Sequence, residues 1–322
     1  MNILHWKYAI EVERTRSINR AAENLFMGQP NLSRAIKELE ESLGITIFKR
    51  TSKGMSPTPQ GEEFLQHAKR ILSQIEEVEA LYNTNCGDRV RFTVSVPRAS
   101  YIACAFTNFL SELDSLENSG RMEIYYKETN AIRAIDNLLQ ADYRLGIIRY
   151  QKKFEQYFQA MLHDKGISSQ VIAEFTHVAL MSASHPLAGR NDLEIGDFQP
   201  YTEIAHADPF VPSLPAVDAR KAEMTENVVK HIYVFERSSQ MDLLSRVPHT
   251  FMWVSPVPQH LLNQYRLVQK TCPSGQKVYK DVLIHRQGYR LTETDEKFVS
   301  AVCRMRDTVM PFGNKTSKDI SI

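Results

Sequence analysis

The chain has 322 residues, 43% of them apolar, and a formal net charge of +1. That length suits two or three domains; no apolar run approaches the 18 residues of a membrane span and no export-signal pattern opens the chain, so a cytoplasmic location is expected. Residues 1–60 carry nine Lys/Arg against six Asp/Glu, giving +3, and the remainder carries 30 against 32, giving −2, so binding to a polyanion must rest on avidity as well as charge.

Ile3, Trp6, Ala9 and Ile10 predict a short amphipathic helix. The next run, SINRAAENLFMGQPNLSRAIKELE from Ser17 to Glu40, predicts two short helices joined by a tight turn. Ser17 is placed to cap the first, with Ile18, Ala22 and Leu25 as its apolar stripe. Gly28 is expected to supply positive φ between the helices, and Pro30 suits the first turn of the second. In that second helix Leu32, Ile36, Leu39 and Leu43 recur at four- and three-residue steps and share one inward face. Pro30, Ser33, Arg34 and Lys37 lie opposite. A polar, basic face that begins at a helix N-terminus can enter a major groove and offer hydrogen bonds to base edges. A buried helical hairpin has no use for it. GITIFKRTSKGMSPTP then alternates like a strand and turns at Ser52, Lys53 and Gly54, which predicts a small β-wing with Lys49, Arg50 and Lys53 near phosphates.

These pieces together resemble the N-terminal region of LysR-type transcriptional regulators over residues 1 to about 86. The matching stretches are SINRAAENL, QPNLSRAIKELE, LGITIFKR, and TPQG at Thr58–Gly61. Asn31, where a small residue is commoner, and Ile47, where Leu is usual, depart from the pattern; Asn31 lies near the groove-facing end. The resemblance implies base contacts from Gln29, Pro30, Ser33 and Arg34. It implies backbone contacts from Ser17, Lys37, Arg50, Lys53 and Thr58.

Pro59 to about Asn85 contains no Gly after Gly61 and no further Pro. Phe64, Ala68, Ile71, Ile75, Val78 and Tyr82 step four, three, four, three, four, a 3.5-residue period that predicts pairing between two chains. About 25 helical residues span roughly 37 Å. The alternative is a helix lying on its own domain. The resemblance favours dimerisation here, and a two-fold dimer reads an inverted repeat in double-stranded DNA. It also implies a homotetramer, with the C-terminal domains making the second contact.

From Asp88 onward strands alternate with helices of about ten residues, which indicates parallel α/β units. RVRFTVSV, MEIYYKE and RLGIIRY are the first three strands. QVIAEFTHVALMSA, YTEIAH, HIYVFE, TFMWVS and VYKDVLIHR follow as candidates, and TETDEKFVSAVCRM is a final helix. The resemblance implies a periplasmic-binding-protein-like effector domain of two α/β subdomains. The expected organisation is a winged helix-turn-helix over 1–58, a linker helix over 59–87 and an effector domain over 88–310. Subdomain I takes about 90–163 and 268–307, and subdomain II about 168–263, with a polar tail over 311–322. The glycine-rich approach to the last strand of subdomain II is replaced by SRVPHTFMWVSPVP.

Ligands of open α/β sheets bind beyond the carboxyl ends of the strands. That rule selects Arg98, Ser100, Thr129, Asn130 and Arg149 in subdomain I, and His206 and Ser238 in subdomain II. Two arginines after different strands, with hydroxyls at helix starts, point to a small organic anion as effector. Helix capping and surface ion pairs are the plainer roles for the same residues.

Cys86, Cys104, Cys272 and Cys303 show no CxxC spacing, and no two of the ten histidines form an HExxH pair. No Gly-rich phosphate loop or GxSxG elbow occurs. No catalytic residue, metal or cofactor is expected. A thiol redox sensor on the same scaffold needs a reactive pair, and no cysteine lies between Cys104 and Cys272. A solute-binding protein or an enzyme built on the same α/β domains fits neither the start of the chain nor the DNA-binding motif.

Overall fold

The computed structural model describes residues 2–51, 54–82, 89–113, 121–225, 227–273 and 277–310. The chain divides into two compact units, Met1–Gly87 and Asp88–Ile322.

In the first unit, α1 spans Ile3–Thr15, α2 Ile18–Asn24 and α3 Gln29–Leu43. Trp6, Ala9 and Val12 of α1 are buried against Ala21, Ala22, Leu32, Ile36 and Leu39. Ile3, expected inside, is exposed. The turn between α2 and α3 differs from expectation in one respect. Phe26 takes the positive φ, at 51°, while Gly28 sits at φ −70° as the N-cap of α3. Phe26 is consequently thrown outward, 98% exposed. Gly44, with φ 69°, ends α3.

The wing pairs β1 (Phe48–Thr51) with β2 (Gly54–Pro57) in antiparallel register. Glu40 ties α3 to it, since its carboxylate accepts from the Ile47 and Phe48 amides at 2.6 and 3.0 Å. Helix α4 (Pro59–Tyr82) follows directly. Gly61 lets it lie close: a Cβ there would meet the Ile47 carbonyl oxygen at 2.1 Å.

Part of the predicted pairing seam faces its own domain. Leu65, Ala68 and Leu72 are buried with the core of α1–α3, and Phe64 packs edge-on to Trp6. Phe64 and Ala68 therefore belong to the intradomain face, and Ala68 is only 1% exposed. Ile71 is 38% exposed and Ile75 half-buried. The side chains of Val78 and Tyr82 lie outside the described residues, as do Lys53 of the wing, Cys86 and the polar tail 311–322.

The second unit holds two five-stranded sheets. The first comprises β3 (Arg89–Val96), β4 (Arg121–Glu128), β5 (Leu145–Gln151), β6 (Ile167–Thr176) and β12 (Val278–Arg286), in the order β4-β3-β5-β12-β6. Helices α5 (Ser100–Ser111), α6 (Ala131–Gln140) and α7 (Glu155–Asp164) follow its strands. The second comprises β7 (Val178–Ser182), β8 (Thr202–His206), β9 (Lys230–Val234), β10 (Thr250–Val254) and β11 (Leu267–Lys270), in the order β11-β7-β10-β8-β9. Its helices are α8 (Ala216–Glu223), α9 (Arg237–Arg246) and α10 (Gln259–Tyr265), and α11 (Glu293–Val309) closes the chain on the first sheet.

Each sheet has three parallel-paired strands extended by two more through antiparallel pairings, so that only β12 in the first and β7 in the second run against the rest. The subdomain limits shift accordingly. Residues 167–176, expected to begin subdomain II, form an edge strand of the first sheet, and residues 267–270 form an edge of the second. The chain crosses between sheets at His177, and β11 of the second sheet precedes β12 of the first. In the segment lacking glycine before β10, His249 takes the left-handed conformation at φ 74°.

Candidate functional site

The first unit presents one face of α3 to solvent. Pro30, Asn31, Arg34 and Lys37 are exposed, and Gln29 and Ser33 are half-buried at its margin. The opposite face is filled by Leu32, Ala35, Ile36 and Leu39. Lys37 makes a loose pair with Glu41 at 3.7 Å. That pair is solvated and weak, so it leaves the ammonium available. Lys49 and Arg50 are exposed on the wing. Ser17 and Thr58 spend their hydroxyls on structure. Ser17 caps α2 by accepting from the Arg20 amide at 3.4 Å. Thr58 donates to the Thr46 carbonyl and accepts from the Gly61 amide.

The second unit holds a cleft of about 190 Å³ lined from both sheets. Five of the seven selected residues line it: Arg98, Thr129, Asn130, Arg149 and His206. Two do not. Ser100 is buried at the start of α5 without capping it, and Ser238 is exposed on α9. Both of these lie inside the helices that follow the strands, Ser100 at the first position of α5 and Ser238 at the second of α9.

The two arginines are not free. Arg149 is bidentate to Asp281 of β12, with both bonds at 2.7 Å, and its guanidinium stacks 4.8 Å from the Phe175 ring centroid. Asp281 is fully buried and also accepts from the Tyr101 hydroxyl at 2.5 Å. Arg98 crosses the cleft to Asp208 at 2.8 Å. Arg133 reaches the same carboxylate at 3.0 Å, and the Asn130 amide donates to the Asp208 carbonyl at 2.9 Å. Two unpaired guanidiniums awaiting an anion are thus not what the cleft contains.

Several lining groups carried no sequence signal. Glu223 at the end of α8 accepts from Gln151 at 2.5 Å and from the Tyr279 hydroxyl at 2.7 Å, both across the cleft. Arg220 lies one helical turn earlier. Glu203 of β8 is buried, accepts from the Thr225 amide at 3.0 Å, and has its carboxyl pushed up by burial. His177, at the crossing between sheets, stacks on Tyr279 with centroids 3.9 Å apart. Burial, then the nearby Arg149 charge, holds His177 well below its ordinary range. His206 is pushed down to about 4 by burial and then by Arg98. Both imidazoles are neutral near pH 7, and His177 Nε2 and His206 Nδ1 have no hydrogen-bond partner. Only Asp208 and Gln151 sit where a strand-end argument reaches them; Arg220 and Glu223 come from a helix flank, which that argument does not cover.

Among the described residues no group of three or more His, Cys, Asp or Glu is arranged to hold a metal ion. No described helix is long and apolar enough to cross a membrane.

Residues 3–62 match the family described as bacterial regulatory helix-turn-helix protein, lysR family. The chain is 26% identical to the HTH-type transcriptional regulator AlsR of Bacillus subtilis over 217 residues, which cover 66% of this chain and 67% of AlsR. Its fold is similar to a full-length OxyR variant of Pseudomonas aeruginosa, with a TM-score of 0.60 at 16% identity, covering 94% and 98% of the two chains. It is also similar to full-length CbnR complexed with its target DNA, with a TM-score of 0.57 at 16% identity over 95% and 100%.

Proposed function

The chain belongs to the LysR-type transcriptional regulators, and from that premise we propose how its own residues carry out the regulation. It is a DNA-binding transcriptional regulator whose activity responds to a small molecule, and it does no covalent chemistry. The observation that carries the DNA side is the exposed face of α3, where Arg34 and Lys37 stand free of the core that Leu32, Ile36 and Leu39 complete. Base contacts fall to Gln29, Pro30, Ser33 and Arg34. Lys37, Arg50 and the wing meet the phosphates, while Ser17 and Thr58 contribute through the helix starts they cap.

Two such domains pair through the outer face of α4, where Ile71 and Ile75 remain after Phe64 and Ala68 turn inward. The resulting homodimer reads an inverted repeat, and a homotetramer forms through the second units. The small molecule binds in the cleft between the two sheets, and its preference for one arrangement shifts the DNA-bound assembly. The protein acts in the cytoplasm.

Selection of bound sites from a random duplex pool by the full-length protein tests this reading. Enriched sequences should contain an inverted repeat, and the Arg34→Ala variant should lose that enrichment. Recovery of no common sequence would sink it.

A further inference from the structure

Both arginines at the strand ends of the first sheet already have counter-ions. Arg98 has Asp208 and Arg149 has Asp281. Glu203 accepts from the Thr225 amide and lies 3.7 Å from His231, which is its counter-ion only when protonated. Arg220 and Glu223 also line the cleft, and neither has an oppositely charged partner among the described residues. They stand three apart on α8, hence on one helical face. A single helix therefore offers the cavity one positive and one negative group, one turn apart. Arg220 rests 5.8 Å from the Tyr233 ring centroid, and Glu223 is held by two neutral donors, Gln151 and Tyr279.

A third group asks for a donor. His206 also lines the cleft, and its Nδ1 has no hydrogen-bond partner. With its proton on Nε2 a neutral imidazole keeps a lone pair on Nδ1, and a buried acceptor without a donor costs stability until one arrives. Aromatic side chains also line the cleft, among them Phe154, Phe158, Phe210 and Trp253. A plain anion finds here one unshared guanidinium and a facing carboxylate. An ion bearing both charges finds a partner for each.

Resting on the reading of this cleft as the effector site, we propose that the effector is a zwitterionic α-amino acid with an apolar or aromatic side chain. Its carboxylate takes Arg220, its ammonium donates to Glu223 and His206, and its side chain lies against the aromatic wall. Charge-assisted bonds from both ends give the selectivity, because loss of either leaves a buried charge without its counterpart.

The test is calorimetric titration and thermal shift on the full-length protein. The probes are phenylalanine, tyrosine, tryptophan, leucine and methionine, each with its deaminated acid and decarboxylated amine. At least one amino acid should bind and raise the melting temperature. Its acid and amine should each bind about tenfold or more weakly, the worth of one hydrogen bond to a charged group. Glu223→Gln should weaken the amino acid to the level of its acid and weaken the acid far less. Arg220→Gln should weaken it to the level of its amine. Binding of none of the probes would overturn the proposal, and so would an acid that binds as tightly as its amino acid or a preference that survives Glu223→Gln. Site selection by the ligand-free protein separates that failure from failure of the regulator reading, since it uses no probe.

Discussion

Arg98, just beyond β3 of the first sheet, and Asp208, just beyond β8 of the second, form an ion pair at 2.8 Å, with side chains 10% and 12% exposed. The bond spans the two subdomains. Asp208 also holds Arg133 through its carboxylate and Asn130 through its carbonyl, so a single residue fastens one side of the cleft. Glu223, bound by Gln151 and Tyr279, fastens another. Arg237 and Glu128 form a further bridge between the sheets, at 2.7 Å.

Removing Asp208 leaves the largely buried Arg98 guanidinium without its counter-charge. Asp208→Ala is expected to cost on the order of 3 kcal/mol, the lower end for breaking a buried pair. Urea denaturation of the full-length protein measures it. An unchanged midpoint would mean that the pair offsets no more than its own desolvation.

Arg34→Ala is expected to lose about 1–3 kcal/mol of binding to the selected site, with little change on unrelated duplexes. Arg50→Ala is expected to weaken both alike and to lower the salt dependence by about one counterion. Fluorescence anisotropy at several salt concentrations distinguishes the two patterns. The same pattern for both variants would contradict the division between base and phosphate contacts.

Along α4 the faces have different duties. Ala68→Asp puts a charge into the core of the first unit and is expected to unfold that unit. Ile71→Asp, on the outer face, is expected to leave the helical circular dichroism signal intact and shift the mass in light scattering towards the monomer. An intact oligomer in the Ile71→Asp, Ile75→Asp double variant would refute pairing through this face.

The cleft histidines give stability a pH dependence. In the unfolded chain an imidazole titrates near 6.5, whereas His206 titrates at about 4 in the fold, mainly through burial. Between those values the unfolded state binds more protons, so this stability is complete above about pH 6.5 and is lost as pH falls towards 4. His177 acts in the same direction. Glu203, raised by burial, acts in the opposite one. Each imidazole contributes at most about 1.4 kcal/mol per pH unit. Thermal unfolding from pH 7 to 5 should show a falling midpoint in the wild type and a shallower fall in His206→Asn. Equal slopes would remove His206 from the account.

The DNA-binding helix was legible because its pattern is local: Leu32, Ile36 and Leu39 sit at helical spacing, and the groups facing them need no distant partner. The seam on α4 was only half legible for the opposite reason. Phe64, Ala68 and Ile71 keep the spacing of a stripe, but so do Leu65, Ala68 and Leu72, and the difference lies in what packs against them. The crossing between sheets left no mark either. QVIAEFTHVALMSA reads as one strand candidate without Gly or Pro, yet it changes sheets at His177. In the cleft, Arg98 and Arg149 stand at or just beyond strand ends, while their partners Asp208 and Asp281 lie 110 and 132 residues away. Phe26 defeated the turn prediction because glycine is the usual left-handed residue and here a phenylalanine fills that role.

The place of β12 constrains the order in which this chain acquires its structure during synthesis. It lies between β5 and β6 and pairs with both along its length. Until about residue 286 has left the ribosome, the first sheet is split, with the apolar edge of β5 uncovered. The second sheet needs nothing beyond β11 and can assemble earlier as an inserted unit. The nascent chain therefore carries a finished subdomain inside an unfinished one, and the exposed strands of the latter are open to mispairing with other chains throughout that interval.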